Sequence, residues 1–455
     1  MAGPGYMLGV DFGTSHTVAA ARSPDNRSRV LLFDGSPLLP SAVYAQPGAP
    51  LLVGRDAILA ARVDPARFEP HPKRRVDDGT VLLGEREFPV VDLIAAVYRR
   101  VGEEWGRVVG AVRPELTLTH PAAWGEPRRR VLVAAAEAAG FDRIRLVPEP
   151  VAAAAYFVRV LGQRLPTGSV LVVHDIGGGT VDVAAVTRTR TGFTVSALDG
   201  RDDLGGIDLD AAVVAHLSGV HGTDSGGAWH RLTTPANLND RRARRLLWDD
   251  VRAAKERLSR ATISEIVVPQ VGIEVHLTRH ELESLATPAL TEAVRLTNSV
   301  VGRLAVPGHR LAGVFLVGGS SRIPLLSTLL FQELGRAPVV IEQPELVVAE
   351  GSVALPELPP APGRKWHQAT GQPDAAPTSP TPAPTTPAAP PRQRRRRTWL
   401  RWLGPVALLP VAAVIVGLAV ALITILAFVG MVVWSILTGQ GFLPDWNFMP
   451  RAPWA

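Results

Sequence analysis

The chain has 455 residues, enough for two or three domains with sizeable cores. It contains no cysteine, which excludes disulfides, thiolate metal sites and cysteine nucleophiles. Its formal charge of +6 equals the six arginines between Arg392 and Arg401, so the remainder is balanced and nothing in it points to nucleic acid.

The N-terminus, MAGPGYM, runs into the first strand without a basic stretch, so no signal peptide is expected. MLGVDFGTSHTVAAA, Met7 to Ala21, reads as apolar strand, Asp11, a turn at Gly13, Thr14 and Ser15, then a second apolar strand. Next comes HPKRR, which holds Lys73. Only Lys73, Lys255 and Lys365 are lysine among 48 basic residues, so each marks a place where a compact, mobile ammonium suits better than a forked guanidinium. TLTHPAAW, Thr117 to Trp124, ends a strand at His120 and Pro121, and RRVLVAAAEAAGF from Arg129 reads as a helix. LVPEPVAAAAYF, Leu146 to Phe157, fixes Glu149 between two prolines. This suits either a carboxylate that orients water or an ordinary acid at a helix start.

VVHDIGGGTVDVAAV, Val172 to Val186, repeats the N-terminal pattern. Asp175 aligns with Asp11, and Gly177, Gly178, Gly179 and Thr180 align with the Gly13-Thr14 turn, so the chain reads as an internal duplication. A glycine turn accepts positive φ and exposes backbone N–H groups, which suits an anion such as phosphate. Carboxylates at Asp175 and Asp182 beside a phosphate call for a cation, and Mg²⁺ held through water is the usual one. No Walker loop is present. LGGIDLDAAVV sets Gly205 and Gly206 before a helix, with Asp208 and Asp210 expected as charges favoured by its N-terminus. RAAKERLS carries Lys255 and Ser259. VFLVGGSSRIP, Val314 to Pro324, gives strand, Gly318, Gly319, Ser320 and an Arg322 free to stack on a flat base.

Residues 1–355 therefore read as a globular α/β unit. Residues 356–391 hold twelve prolines and are expected to be a disordered linker. Residues 392–402 are a basic juxtamembrane segment. Residues 403–437 are uncharged and exceed the roughly 20 residues a bilayer core needs, so one transmembrane helix is expected. Arginines on its N-terminal side place the globular part in the cytoplasm and residues 438–455 outside, in a single-pass cell-membrane protein able to contact anionic lipid.

In this order the motifs resemble the nucleotide-binding domain of the 70-kDa heat-shock protein family, with its actin-like ATPase fold of two duplicated lobes around a nucleotide cleft. The resemblance covers residues 6 to about 355. It implies that ATP or ADP binds with Mg²⁺ held through water by Asp11 and Asp175, and that Asp182 completes an ion site. The backbone at Gly13 to Ser15 and Gly177 to Thr180 would bind phosphates. Lys73 would steady the γ-phosphate, while Glu149 and Thr180 orient the attacking water. Gly205 and Gly206, Lys255, Ser259, and Gly318 to Ser320 with Arg322 would form the adenosine side, and Pro121 and Arg129 the switch toward a partner. The sequence departs from the family at Ile207, where an acid is usual, and at Arg252, where a ribose-binding glutamate is expected. After Leu355 the proline segment and apolar run replace the family's linker and β-sandwich substrate domain. The implied function is a slow, membrane-tethered ATPase switch or chaperone-like factor with an unidentified protein partner. A nucleotide-holding scaffold or actin-like assembly factor is the alternative reading.

Overall fold

A computed structural model describes residues 5–222, 227–304 and 311–355. The expected linker, basic segment, membrane helix and tail all lie outside the described residues. Among the described residues no helix is long and apolar enough to cross a membrane.

Two mixed sheets carry the fold. In the first, Met7–Phe12 pairs antiparallel with His16–Arg22 and parallel with Glu115–His120, which pairs parallel with Ile144–Pro148. Ser28–Val30 extends the antiparallel side. In the second, Val170–Ile176 pairs antiparallel with Val181–Arg188, which pairs with Phe193–Arg201; Leu311–Val317 lies parallel on the other side. Phe315 also bridges Val339 in parallel, where the first sheet has Ile144–Pro148. The two halves thus share strand order and direction, as the aligned motifs require. The central strands are buried on both faces, which accounts for their continuous β-branched runs.

Helices Val90–Val109 and Glu126–Ala138 cover the first sheet, and Arg279–Gly302 and Pro324–Leu334 the second. The space between the sheets is filled by an exchange. Helix Glu149–Arg159 follows the first sheet in sequence but packs on the second, and helix Val347–Ala354 returns from the second half onto Met7, Val18 and Ala20 of the first. Ala152 to Ala155 are all fully buried where these helices meet. A Cβ on Gly351 would overlap the Ala152 carbonyl oxygen, and one on Gly9 would overlap the Ser352 hydroxyl, so both glycines serve backbone approach.

Two outlying pieces wall the cleft. Helices Gly206–His221 and Leu238–Leu258 pack with the hairpin Ile263–Val268 and Ile273–Thr278 around Val213, Leu247, Val251 and Leu277. Strands Val43–Tyr44, Leu52–Val53 and Phe68–Glu69 with helix Arg55–Ala60 form the other. They meet where Arg242 Nε donates to the Val63 carbonyl at 2.9 Å and the Arg245 guanidinium lies 4.0 Å from the Phe68 ring centroid.

Candidate functional site

The two hairpin turns are built alike and face each other. Gly13 N donates to His16 O, and Gly177 N donates to Thr180 O, each at 3.0 Å. Their tips touch: a Cβ on Gly178 would overlap the Ser15 hydroxyl, and one on Gly179 would lie 3.0 Å from Thr14 Cγ2. The positive φ expected of the triple glycine is corrected: none of Gly177, Gly178 and Gly179 adopts it, and at Gly178 and Gly179 the opposite hairpin occupies the place of a side chain. The positive φ falls at Gly318, +80°, where a side chain would strike the Asp175 carboxylate.

A cavity of about 430 Å³ opens along these turns. That is within the range of small-molecule sites. Asp11, Thr14, Ser15, Lys73, Glu149 and Asp175 line its inner end. Glu149 is the first residue of its helix, as the helix-start reading expects, and is also buried against Lys73, with Nζ 2.9 Å from Oε1. Asp11 accepts from Thr119 Oγ1 at 2.9 Å, and burial, reinforced by Glu149, raises it to about 6. Burial and then the charge of Glu149 raise Asp175 well above its ordinary value of 3.8. Asp182 is raised to about 6 by burial first and Glu149 second, and accepts from Thr180 Oγ1 at 3.0 Å. Asp182 does not reach the main cavity; it lines a narrow space behind with Ala122, Pro150 and Leu198. Burial pulls the Lys73 ammonium down, but Glu149 and Asp11 outweigh it and the net shift is upward.

Carboxylates crowded about one lysine and open backbone N–H groups favour a cation that arrives with an anionic ligand. Among the described residues no three His, Asp or Glu groups converge closely enough to hold a metal directly. A hydrated ion such as Mg²⁺ would be held at this end through water by Asp11 and Asp175.

A tryptophan that sequence reasoning passed over supports this end. The Trp124 ring centroid lies 5.5 Å from Lys73 Nζ and 5.6 Å from the Arg128 guanidinium. Arg128 grips Asp77 through Nε and Nη2, and its Nη1 is 3.5 Å from Asp202 on the other lobe.

The outer end is tied to the second hairpin. Gly206 N donates to Gly177 O at 3.0 Å and Ile207 N to Gly178 O at 2.7 Å, while Ser320 Oγ donates to Gly177 O at 2.9 Å. Lys255 Nζ donates to Gly206 O at 2.6 Å and pairs with Asp210 Oδ1 at 2.7 Å. Asp210 is fully buried, so its expected place as a helix-start charge is corrected: it anchors Lys255, and Arg252 Nε lies 3.7 Å from its other oxygen. Ser259, Gly318 and Gly319 also line the cavity, whereas Gly179 and Gly205 pack behind it against each other. Arg322 lines it too but is not free: its Nη2 is 2.6 Å from Glu345 Oε1. Pro121 and Arg129 are not part of the cavity lining; Pro121 is buried, and Arg129 Nη2 is 3.3 Å from Glu126. His16 and Glu345, which line the outer end, carried no sequence signal beyond their place beside the glycine motifs.

Two duplicated lobes thus face one cavity, on a mixed α/β fold consistent with the actin-like ATPase domain. The profile of the family described as Hsp70 protein matches residues 73–357, and the chain belongs to that family. Over 360 residues it is 28% identical to the chaperone protein DnaK of Halobacterium salinarum, covering 76% of this chain and 54% of that protein. A chaperone protein HscA homolog of Methylibium petroleiphilum is 31% identical over 382 residues, covering 76% and 57%. Another, from Acidithiobacillus ferrooxidans, is 27% identical over 370 residues, covering 76% and 57%. The chain spans a little over half the length of these curated relatives. Members of the family are ATPases.

Proposed function

We propose that this chain binds ATP and ADP with Mg²⁺ in the cleft, hydrolyses ATP slowly, and uses nucleotide state to switch its contacts with a protein partner at the cytoplasmic face of a membrane. The observation that carries the reading is the meeting of two matched hairpin turns over the Lys73–Glu149 pair, with Asp11 and Asp175 beside it. In this reading the backbone N–H groups of both turns hold the phosphates, and Lys73 presents positive charge to the terminal phosphate. Glu149 holds Lys73 and, with Thr180, orients water. Mg²⁺, when bound, neutralises phosphate charge. Positioning and charge stabilisation carry such a reaction without a covalent intermediate.

The tether rests on sequence: six arginines at residues 392–401 followed by the uncharged run 403–437. Titration of the full chain in detergent with ATP and ADP, with and without Mg²⁺, tests the site. Mg²⁺-dependent binding of both is expected, and no binding of either would overturn it. Flotation of the full chain with lipid vesicles tests the tether; a chain that stays at the bottom of the gradient would overturn that part alone.

A further inference from the structure

Four cations, Arg252, Lys255, Arg260 and Arg322, line the outer end of the cleft against three carboxylates, Asp210, Glu256 and Glu345. Two ion pairs there are closed: Lys255 with Asp210 at 2.7 Å, and Arg322 with Glu345 at 2.6 Å. Arg252 lies on the same helix as Lys255, faces the cavity, and shares the carboxylate Lys255 already holds, with only its Nε at 3.7 Å. Among the described residues its two terminal nitrogens make no protein hydrogen bond, and its side chain is 31% exposed. The positive field reaches the opposite wall. His16 and His71 are each pushed down to about 4, by burial first and by Arg252 as the leading charge.

A short chain of contacts links Arg252 to the phosphate turn. Gly177 O accepts from Gly206 N, Gly206 O accepts from Lys255 Nζ, and Lys255 shares Asp210 with Arg252. Phosphates held at Gly177 would carry their attached group, in a nucleotide the sugar, along the cavity that Arg252 also lines. A hydroxyl gives a guanidinium one neutral acceptor, whereas a phosphate gives it charged oxygens matched to its fork.

We propose that Arg252 forms a second anion subsite, and that the preferred ligand is a nucleoside triphosphate carrying a further phosphate on its sugar. This rests on the nucleotide reading above. It predicts selection by a sugar phosphate and leaves the phosphate hairpins with their ordinary role.

The test is calorimetric titration of the full chain in detergent, with Mg²⁺, using ATP, adenosine 3′-phosphate 5′-triphosphate and inorganic phosphate. The 3′-phosphorylated nucleotide should bind roughly tenfold more tightly than ATP, since one charge-assisted pair is added. The advantage should shrink as salt rises. Arg252→Gln should abolish the preference while ATP still binds, and Arg252→Glu should reverse it. Millimolar inorganic phosphate should weaken binding of the 3′-phosphorylated nucleotide to the parent more than to Arg252→Gln; equal weakening in both would overturn the subsite. Equal or weaker binding of the 3′-phosphorylated nucleotide by the parent overturns the subsite while leaving the nucleotide reading intact. Failure of all nucleotides to bind overturns both. Because the first comparison uses the parent, a variant that does not fold cannot hide the answer.

Discussion

Replacing Lys73 with methionine removes the ammonium that Glu149 contacts at 2.9 Å and whose charge lowers Asp11 and Asp182. Even with Lys73 present, these two aspartates are held at about 6 against an ordinary 3.8. The folded chain therefore keeps protons that the unfolded chain releases between those values. The penalty is absent below 3.8, complete above 6, and stability falls as pH rises through the window. A tenfold difference in proton affinity between the folded and unfolded chain is worth about 1.4 kcal/mol. The penalty is then on the order of 3 kcal/mol per aspartate if each acted alone, and less in sum because they share Glu149 and Lys73. Breaking a buried ion pair costs about 3–5 kcal/mol when the remaining charge stays ionised. Lys73→Met should thus destabilise the Mg²⁺-free, nucleotide-free protein by about 3 kcal/mol at pH 8. At pH 5 the loss should be less than half as large, because the aspartates take up protons and no longer add their repulsion to that of an unpaired Glu149. Urea unfolding followed by circular dichroism at both pH values measures it. A loss of equal size at pH 5 and pH 8, or none at pH 8, would refute the picture of a carboxylate cluster held in place by one lysine.

Two further outcomes follow from the packing. Gly351→Ala places a methyl inside the Ala152 carbonyl, 2.7 Å from its carbon, at the crossing of the two exchanged helices. It should cost about 1–3 kcal/mol, whereas Gly219→Ala, with nothing within 4 Å of the added carbon, should be neutral or mildly stabilising in the same thermal melts. Trp124→Leu removes the ring beneath Lys73 and Arg128 and should lower kcat about fivefold with little change in KM for ATP, a cation–π interaction of about 1 kcal/mol being lost. A change confined to KM would show that the ring does not position Lys73.

The parts of the site built from chain-local patterns could be read in the sequence. Asp11 with Gly13, and Asp175 with Gly177, announce a repeated strand, carboxylate and turn, and the two turns close with the same hydrogen bond. Lysine scarcity singled out Lys73, Lys255 and Lys365; the first two sit in the cleft, and the third lies outside the described residues. What could not be read depends on which distant elements meet. Gly178 and Gly179 are required by Ser15 and Thr14 of the other half, not by their own dihedrals. Asp210 reads as a favourable charge early in a helix because its partners, Arg252 and Lys255, lie on another helix. Arg322 reads as free because Glu345 approaches it only when the chain returns toward helix Val347–Ala354. Trp124 announces nothing until Lys73 and Arg128 are brought to its ring.

The most direct test of the central claim is phosphate release from ATP by the purified full chain in detergent with Mg²⁺, beside Lys73→Ala and Asp175→Asn. The account predicts slow release by the parent, dependence on Mg²⁺, and loss in both variants while their circular dichroism is kept. A parent that binds ATP but releases no phosphate would contradict the ATPase and leave a nucleotide-holding scaffold. Variants that hydrolyse ATP as fast as the parent would contradict the site itself.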